Sequence, residues 1–198
     1  MESVFINPGK EQWNALCKRP SFDYASLQEI VIPVLNDVKQ HGDDAVKKYA
    51  AKFDKAVLQE LLVAESEIAE AVKMVDNDLK AAIQLARNNI QLFHESQKEA
   101  IQKIETSEGV LCWRKSVAIQ TVGLYIPGGT APLFSTLLML GVPAQIAGCS
   151  NIVMCTPSNT EGKVNAVILY TAQLLGIKNI FKIGGVQAVA AMAYGTQS

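Results

Sequence analysis

Two turns in this sequence carry residue types that could hold a ligand. Pro127-Gly128-Gly129 follows a short apolar run containing Tyr125, and Gly184-Gly185 follows another and leads into Gln187. Glycine either supplies the positive φ of a tight turn or lets the backbone approach a bound group, and the sequence leaves both readings open. A tyrosine at a strand end offers a ring face and a hydroxyl donor. A glutamine at a helix start both donates and accepts hydrogen bonds. Tyr125 and Gln187 are therefore the candidate cofactor contacts. Neither turn fits GxGxxG, and no GxxxxGKS/T phosphate loop is present. No Asp, Glu or Arg stands at either glycine turn.

Other chemistries find little support. The two histidines, His41 and His94, lie far apart in a charged loop and on a polar helical stretch, with neither in a ligand motif. Zinc needs three or four protein ligands, so they read as a helix-end residue and a surface or boundary residue. Cys149 and Cys155 flank an apolar run and read as small hydrophobes. Cys112 sits in a strand pattern, and Cys17 has no clear place. Asp43-Asp44 and Glu65/Glu67 read as helix-start acids favoured by the helix dipole. Lys47, Lys48, Lys52 and Lys55 read as a solvated helix face, and Trp13, Trp113 and Phe134 as packing residues. No catalytic residue or metal ligand is assigned.

The elements that must position Tyr125 and Gln187 repeat three times. The apolar runs Val122–Ile126, Asn151–Cys155 and Asn179–Ile183 begin 28–29 residues apart. Each ends in turn chemistry and leads into a helical pattern, over Phe134–Ile146, Lys163–Leu175 and Val186–Tyr194. Strand–turn–helix repeats define a parallel α/β sheet, whose buried strands are continuous apolar runs. Ligands collect at the carboxyl ends of such strands. The turns at Tyr125–Thr130 and Ile183–Gln187 are the first places to look.

The first half is helical. Leu27, Ile30, Val31, Val34, Leu35 and Val38 form one apolar helix face, with Pro33 marking a start or a bend. His41-Gly42 ends it. Asp43 or Asp44 starts a helix through Val46, Tyr49, Ala50 and Phe53. Further helices are predicted over Ser66–Met74 and Asn77–Glu99, and strands over Val110–Trp113 and Val117–Gln120.

The chain has 198 residues, 49% of them hydrophobic, and a net charge of −1 from 18 basic and 19 acidic side chains. That balance excludes a nucleic-acid binder or a polybasic membrane-surface protein. Glycine and proline break the apolar second half into pieces too short to span a bilayer. With no CxxC and no secretory signal pattern, the expectation is a reduced, cytoplasmic, soluble protein. Charge is nevertheless uneven: residues 116–198 hold only Glu161, Lys163, Lys178 and Lys182. A self-contained domain has a charged exterior, so this half reads as the inside of something larger. Two parts are expected, a helix-rich 1–115 and a βα segment 116–198 incomplete at its C-terminal end.

The stretch Val122-Gly-Leu-Tyr-Ile-Pro-Gly-Gly-Thr-Ala-Pro-Leu-Phe-Ser-Thr-Leu-Leu-Met-Leu140 closely resembles histidinol dehydrogenase, as does Ile183-Gly-Gly-Val-Gln-Ala-Val-Ala-Ala-Met-Ala-Tyr-Gly-Thr196. His41-Gly-Asp-Asp44, Tyr49-Ala-Ala-Lys-Phe-Asp54 and Pro143-Ala-Gln-Ile-Ala-Gly-Cys149 support it in the expected order. The resemblance implies incomplete Rossmann-like topology, as in the aldehyde dehydrogenases, and a cytoplasmic homodimer. It implies oxidation of L-histidinol through the aldehyde to L-histidine with NAD and zinc. Tyr125 and Gln187 match NAD-contacting positions of the family. Family members are more than twice this length, with the zinc ligands, the Glu-His acid/base pair and a further NAD-contacting Asn in the C-terminal portion. The expectation is thus an N-terminal portion, inactive alone. The alternative is a non-catalytic nucleotide-binding or interaction module on the same fold.

Overall fold

The computed structural model describes residues 4–19, 24–129 and 131–198. Contacts divide the chain into two compact units, residues 1–33 and 34–198. The first contains α1 (Lys10–Leu16) and the opening part of α2 (Tyr24–His41), which carries Pro33 inside it. Trp13 does not pack as expected: it is half-exposed, and its indole N–H donates to the Pro8 carbonyl at 3.1 Å.

The second unit is built on β3 (Thr121–Tyr125), β4 (Asn151–Thr156) and β5 (Asn179–Lys182), parallel and in that order. These are the three apolar runs of the sequence. Pairing sets Leu124, Met154 and Ile180 on one rung and Tyr125, Cys155 and Phe181 on the next. Because successive side chains of a strand point to opposite faces, the two rungs feed different cores. Leu124, Met154 and Ile180 join a cluster with residues of α4 (Glu65–Met74), α5 (Asn77–Glu95), α6 (Phe134–Ala147) and α7 (Ala166–Leu174). Tyr125, Cys155 and Phe181 join a second cluster with Val34 and Val38 of α2, α3 (Asp43–Tyr49) and α8 (Gly185–Tyr194). Both faces are covered, which is why the strands are apolar throughout. Helices from 34–115 and from 116–198 contribute to both cores.

The free side of β5 is closed by the loop before α4. Val63 donates its N–H to the Ile180 carbonyl, and Lys182 donates to the Leu61 carbonyl, each at 2.8 Å. The Lys182 ammonium, 11% exposed, pairs with Glu67 Oε1 at 2.7 Å, fixing α4 to the end of β5.

Three sequence expectations shift. Val117–Gln120 forms no strand; the partner of β2 (Val110–Trp113) is β1 (Lys103–Ser107), an antiparallel hairpin around Gly109. Both strands are exposed along their length, so no apolar alternation marked β1. Trp113 is half-exposed, with the Lys103 ammonium 5.5 Å from its ring centroid. The long helix ends at Glu95 rather than Glu99.

The helix begun at Asp43 changes pitch. After Tyr49 the backbone widens into a π turn, Ala50–Asp54, closed by the Lys55 N–H on the Ala50 carbonyl. Lys55 then takes φ +55° and ends the run. Upstream, Asp37 ties α2 to α3: its carboxylate accepts from Lys48 Nζ at 2.8 Å and meets His41 Nδ1 at 2.7 Å. Lys48, His41 and Tyr49 together hold the Asp37 carboxyl down at about 2 from its ordinary 3.8. A carboxyl depressed in the folded state stabilises above its unfolded value, and that contribution fades as pH falls through the folded value. The melting temperature of wild type should therefore exceed that of Asp37→Asn at pH 5, with the gap closing between about pH 4 and 2. Thermal melts at pH 2, 3, 4 and 5 check this; a gap independent of pH contradicts it.

Candidate functional site

At the carboxyl ends of the three strands lies a cavity of about 560 Å³. Its walls come from the turn after β3, the loop from Thr156 to Asn165 after β4, and the turn after β5. The first two turns lead into the N-termini of α6 and α7, and the third into α8. Helix N-termini present free N–H groups and positive dipole ends, favourable to anionic ligands. α6 and α7 pack on one face of the sheet and α8 on the other. In open parallel sheets, ligands bind in the crevice at strand ends where the winding changes side.

Pro157 locks the turns together. A Cβ on Gly128 would fall 2.4 Å from its Cγ, and a Cβ on Gly184 would fall 2.7 Å from its Cβ. Only glycine permits both approaches. Gly185 plays the other glycine role, adopting φ +60° at the first residue of α8. Its N–H donates to the Tyr125 hydroxyl at 3.0 Å, joining the turn after β5 to the end of β3. With its oxygen accepting, that hydroxyl keeps a proton to donate.

The two candidate residues are placed differently. Tyr125 lines the cavity, half-buried. Gln187 does not line it: the side chain is fully buried in the first turn of α8, and Oε1 lies 2.9 Å from the place of a Gly185 Cβ. Both amide atoms of Gln187 lack a hydrogen-bond partner. Ser158 Oγ and Asp54 Oδ2, from two other cavity-lining residues, are also buried without partners. Buried polar groups are ordinarily satisfied, so such a cluster needs a reason.

Sequence reasoning missed Asp54, Ser158 and Lys163. Asp54 ends the π turn, and its oxygens lie 3.2 and 3.3 Å from the place of a Gly184 Cβ. The glycine turns lack a carboxylate in sequence but have one in space. Burial pushes the Asp54 carboxyl up from its ordinary value. Ser158 and Lys163 come from the loop after β4, where the helical pattern was expected to begin at Lys163. The helix starts only at Ala166, because Asn165 caps it by accepting from the Val167 N–H. Asn159 Oδ1 accepts from the Glu161 and Lys163 N–H groups and holds this loop in shape. The one sequence sign for Asp54 was its place at the end of the Tyr49–Asp54 motif.

The remaining candidates stay outside the site. His41 is exposed and His94 half-buried, and they pair with Asp37 and Gln97. Cys155 lies within β4 rather than flanking it, and burial pushes its thiol up to about 12, far from nucleophilic use. Among the described residues no group of three or more His, Cys, Asp or Glu could hold a metal ion, so zinc does not fit here. No helix among them is long and apolar enough to cross a membrane.

Fold and crevice together define a Rossmann-like α/β protein with a polar cavity at its strand ends. The family model for histidinol dehydrogenase matches residues 17–198. A histidinol dehydrogenase of Bacteroides thetaiotaomicron is 55% identical over 198 residues, covering 100% of this chain and 46% of that protein. One from Shigella sonnei is 46% identical over 189 residues, 95% of this chain and 43% of its own length. The crystal structure of histidinol dehydrogenase from Elizabethkingia anophelis superposes with a TM-score of 0.92 at 52% identity, over 98% of this chain and 45% of that one. This chain belongs to the histidinol dehydrogenase family, and it spans less than half the length of these relatives.

The Pro157 contacts make a specific prediction. Overpacking a tight contact costs about 1–3 kcal/mol, so Gly128→Ala and Gly184→Ala should each destabilise by about that much. Pro157→Ala removes Cγ and keeps Cβ, so it should rescue Gly128→Ala and leave Gly184→Ala unrelieved. Denaturant unfolding of the two double variants reads this out; equal rescue of both would refute the contact pattern.

Proposed function

We propose that this chain is the nucleotide-holding part of a histidinol dehydrogenase that uses NAD and zinc. The whole protein oxidises L-histidinol through the aldehyde to L-histidine, as a cytoplasmic homodimer. The observation that carries the reading is the pair of unpartnered buried polar atoms on Asp54 and Ser158, both lining one cavity, with the unpartnered Gln187 amide enclosed in the first turn of α8. Leaving such atoms unsatisfied costs about 1–3 kcal/mol each, a cost that a polar ligand offsets.

NAD fits these residues. The Tyr125 ring offers a face for a flat heterocycle, and its hydroxyl retains a proton to donate. Gly129, with open space where a Cβ would stand, leaves the backbone free for close approach, and the Lys163 ammonium offers a charge for phosphate oxygens. Gln187 contributes an amide that can serve a donor and an acceptor once the α8 turn engages the ligand. NAD, when bound, supplies the hydride acceptor of the reaction. This chain's own residues bind and orient it. The division at 115/116 serves this reading in that 116–198 carries the strand-end turns and the 1–115 part supplies Asp54. On this reading the zinc ligands and the acid/base pair belong to the part of the relatives that this chain does not span.

Calorimetric titration of the 198-residue chain with NAD should show saturable one-site binding. Tyr125→Ala should weaken it by about tenfold or more, the scale of one lost ring or charge-assisted contact. The same preparation should show no NAD-dependent histidinol oxidation and no stoichiometric zinc. Absence of saturable NAD binding would overturn the reading of the site, and measurable turnover would overturn the assignment of chemistry elsewhere.

A further inference from the structure

Among the described residues, Asp54 is the one acidic side chain lining the cavity and Lys163 the one basic side chain. A carboxylate is an acceptor only, and Asp54 Oδ2 is buried without any donor, so what completes it must bring N–H or O–H groups. Among the described residues no donor meets this oxygen, which lies beside the Gly184 turn and the Pro157 ring. A ligand in the cavity can bring the missing donor. The π turn is a second mark of purpose: such widened turns concentrate at functional sites, and here it sets the residue facing Gly184.

Resting on the nucleotide reading above, the donor can be narrowed. A dinucleotide is anionic at its pyrophosphate and carries neutral vicinal hydroxyls on its riboses. The phosphates suit Lys163 and the helix N-termini and would be repelled by Asp54. The hydroxyl pair is the part that gives two donors to the two oxygens of one carboxylate. In doubly wound folds an acid at the end of the second strand accepts the ribose hydroxyls and rejects a 2′-phosphate. Here the second strand, β4, ends in Thr156-Pro157-Ser158 with no acid. We propose that Asp54, delivered from outside the sheet by the π turn, is the specificity-determining residue that accepts a ribose diol of the nucleotide and excludes a nucleotide phosphorylated there.

The test is equilibrium binding of NAD, NADP and 2′-deoxy-NAD to the 198-residue chain, wild type and Asp54→Asn. A hydrogen bond to a charged group is worth about a tenfold factor or more in binding, which sets the expected scale. Wild type should prefer NAD over NADP by about 100-fold and lose about tenfold on 2′-deoxy-NAD, counting charge repulsion with the lost bond. Asp54→Asn should weaken NAD about tenfold and bring the three nucleotides to within a few-fold of one another. Far-ultraviolet circular dichroism and melting establish that the variant is folded. The 2′-deoxy comparison on wild type needs no variant and stands if Asp54→Asn fails to fold. Tyr125-dependent NAD binding with NADP or 2′-deoxy-NAD bound equally well by wild type would overturn the role of Asp54 alone. An unchanged preference in a folded Asp54→Asn chain would do the same. No binding of any of the three would overturn the nucleotide reading together with it.

Discussion

One proline ring organises the working end of this protein. Pro157 occupies the space that a side chain would need on Gly128 and on Gly184, so the ends of three strands meet through a single rigid residue. Protein interiors are packed too densely for such contacts to be loose. Tyr125 can reach the Gly185 N–H because the turns it bridges are already held by Pro157. The two glycines need no unusual backbone for this. Gly185 alone among these does, and the work is divided between close approach at two positions and a left-handed conformation at the third.

The same region carries an electrostatic deficit. Asp54 Oδ2, Ser158 Oγ and the Gln187 amide are withdrawn from water without partners, while the cores on either side of the sheet are apolar. A fold stable by only a few kcal/mol keeps such groups only where something else compensates. The contrast between apolar cores and an unsatisfied rim is the physical ground for the proposal that function sits at the strand ends.

Much of the sheet was legible in sequence, because parallel strands covered on both faces must be unbroken apolar runs and the three runs recur at a near-constant interval. Tyr125 and both glycine turns could be set at strand ends for the same reason. What escaped was either exposed or non-local. Lys103–Ser107 is a strand with no buried face, so it has no alternation to read. The two tryptophans are half-exposed although their type suggested packing, since a large ring against a lysine stem or a backbone carbonyl is content at the surface. Asp54 lies far from Gly184 along the chain, and no local pattern could pair them. Gln187 was located on its helix, but its complete enclosure depends on tertiary packing that spacing does not encode.

The π turn gives this protein an unusual genetic sensitivity. A widened turn is the geometric trace of one extra residue within a helix. Removing a single codon between Ala50 and Phe53 would restore ordinary pitch and leave Ala45, Val46 and Tyr49 seated in their core. Every residue after the deletion would rotate by about 100° around the helix axis. Asp54 would swing away from Gly184 with no amino acid exchanged at the cavity. Under the role assigned to Asp54, a lineage could alter its choice of nucleotide by a length change alone, invisible to any comparison that looks only for substitutions among the lining residues.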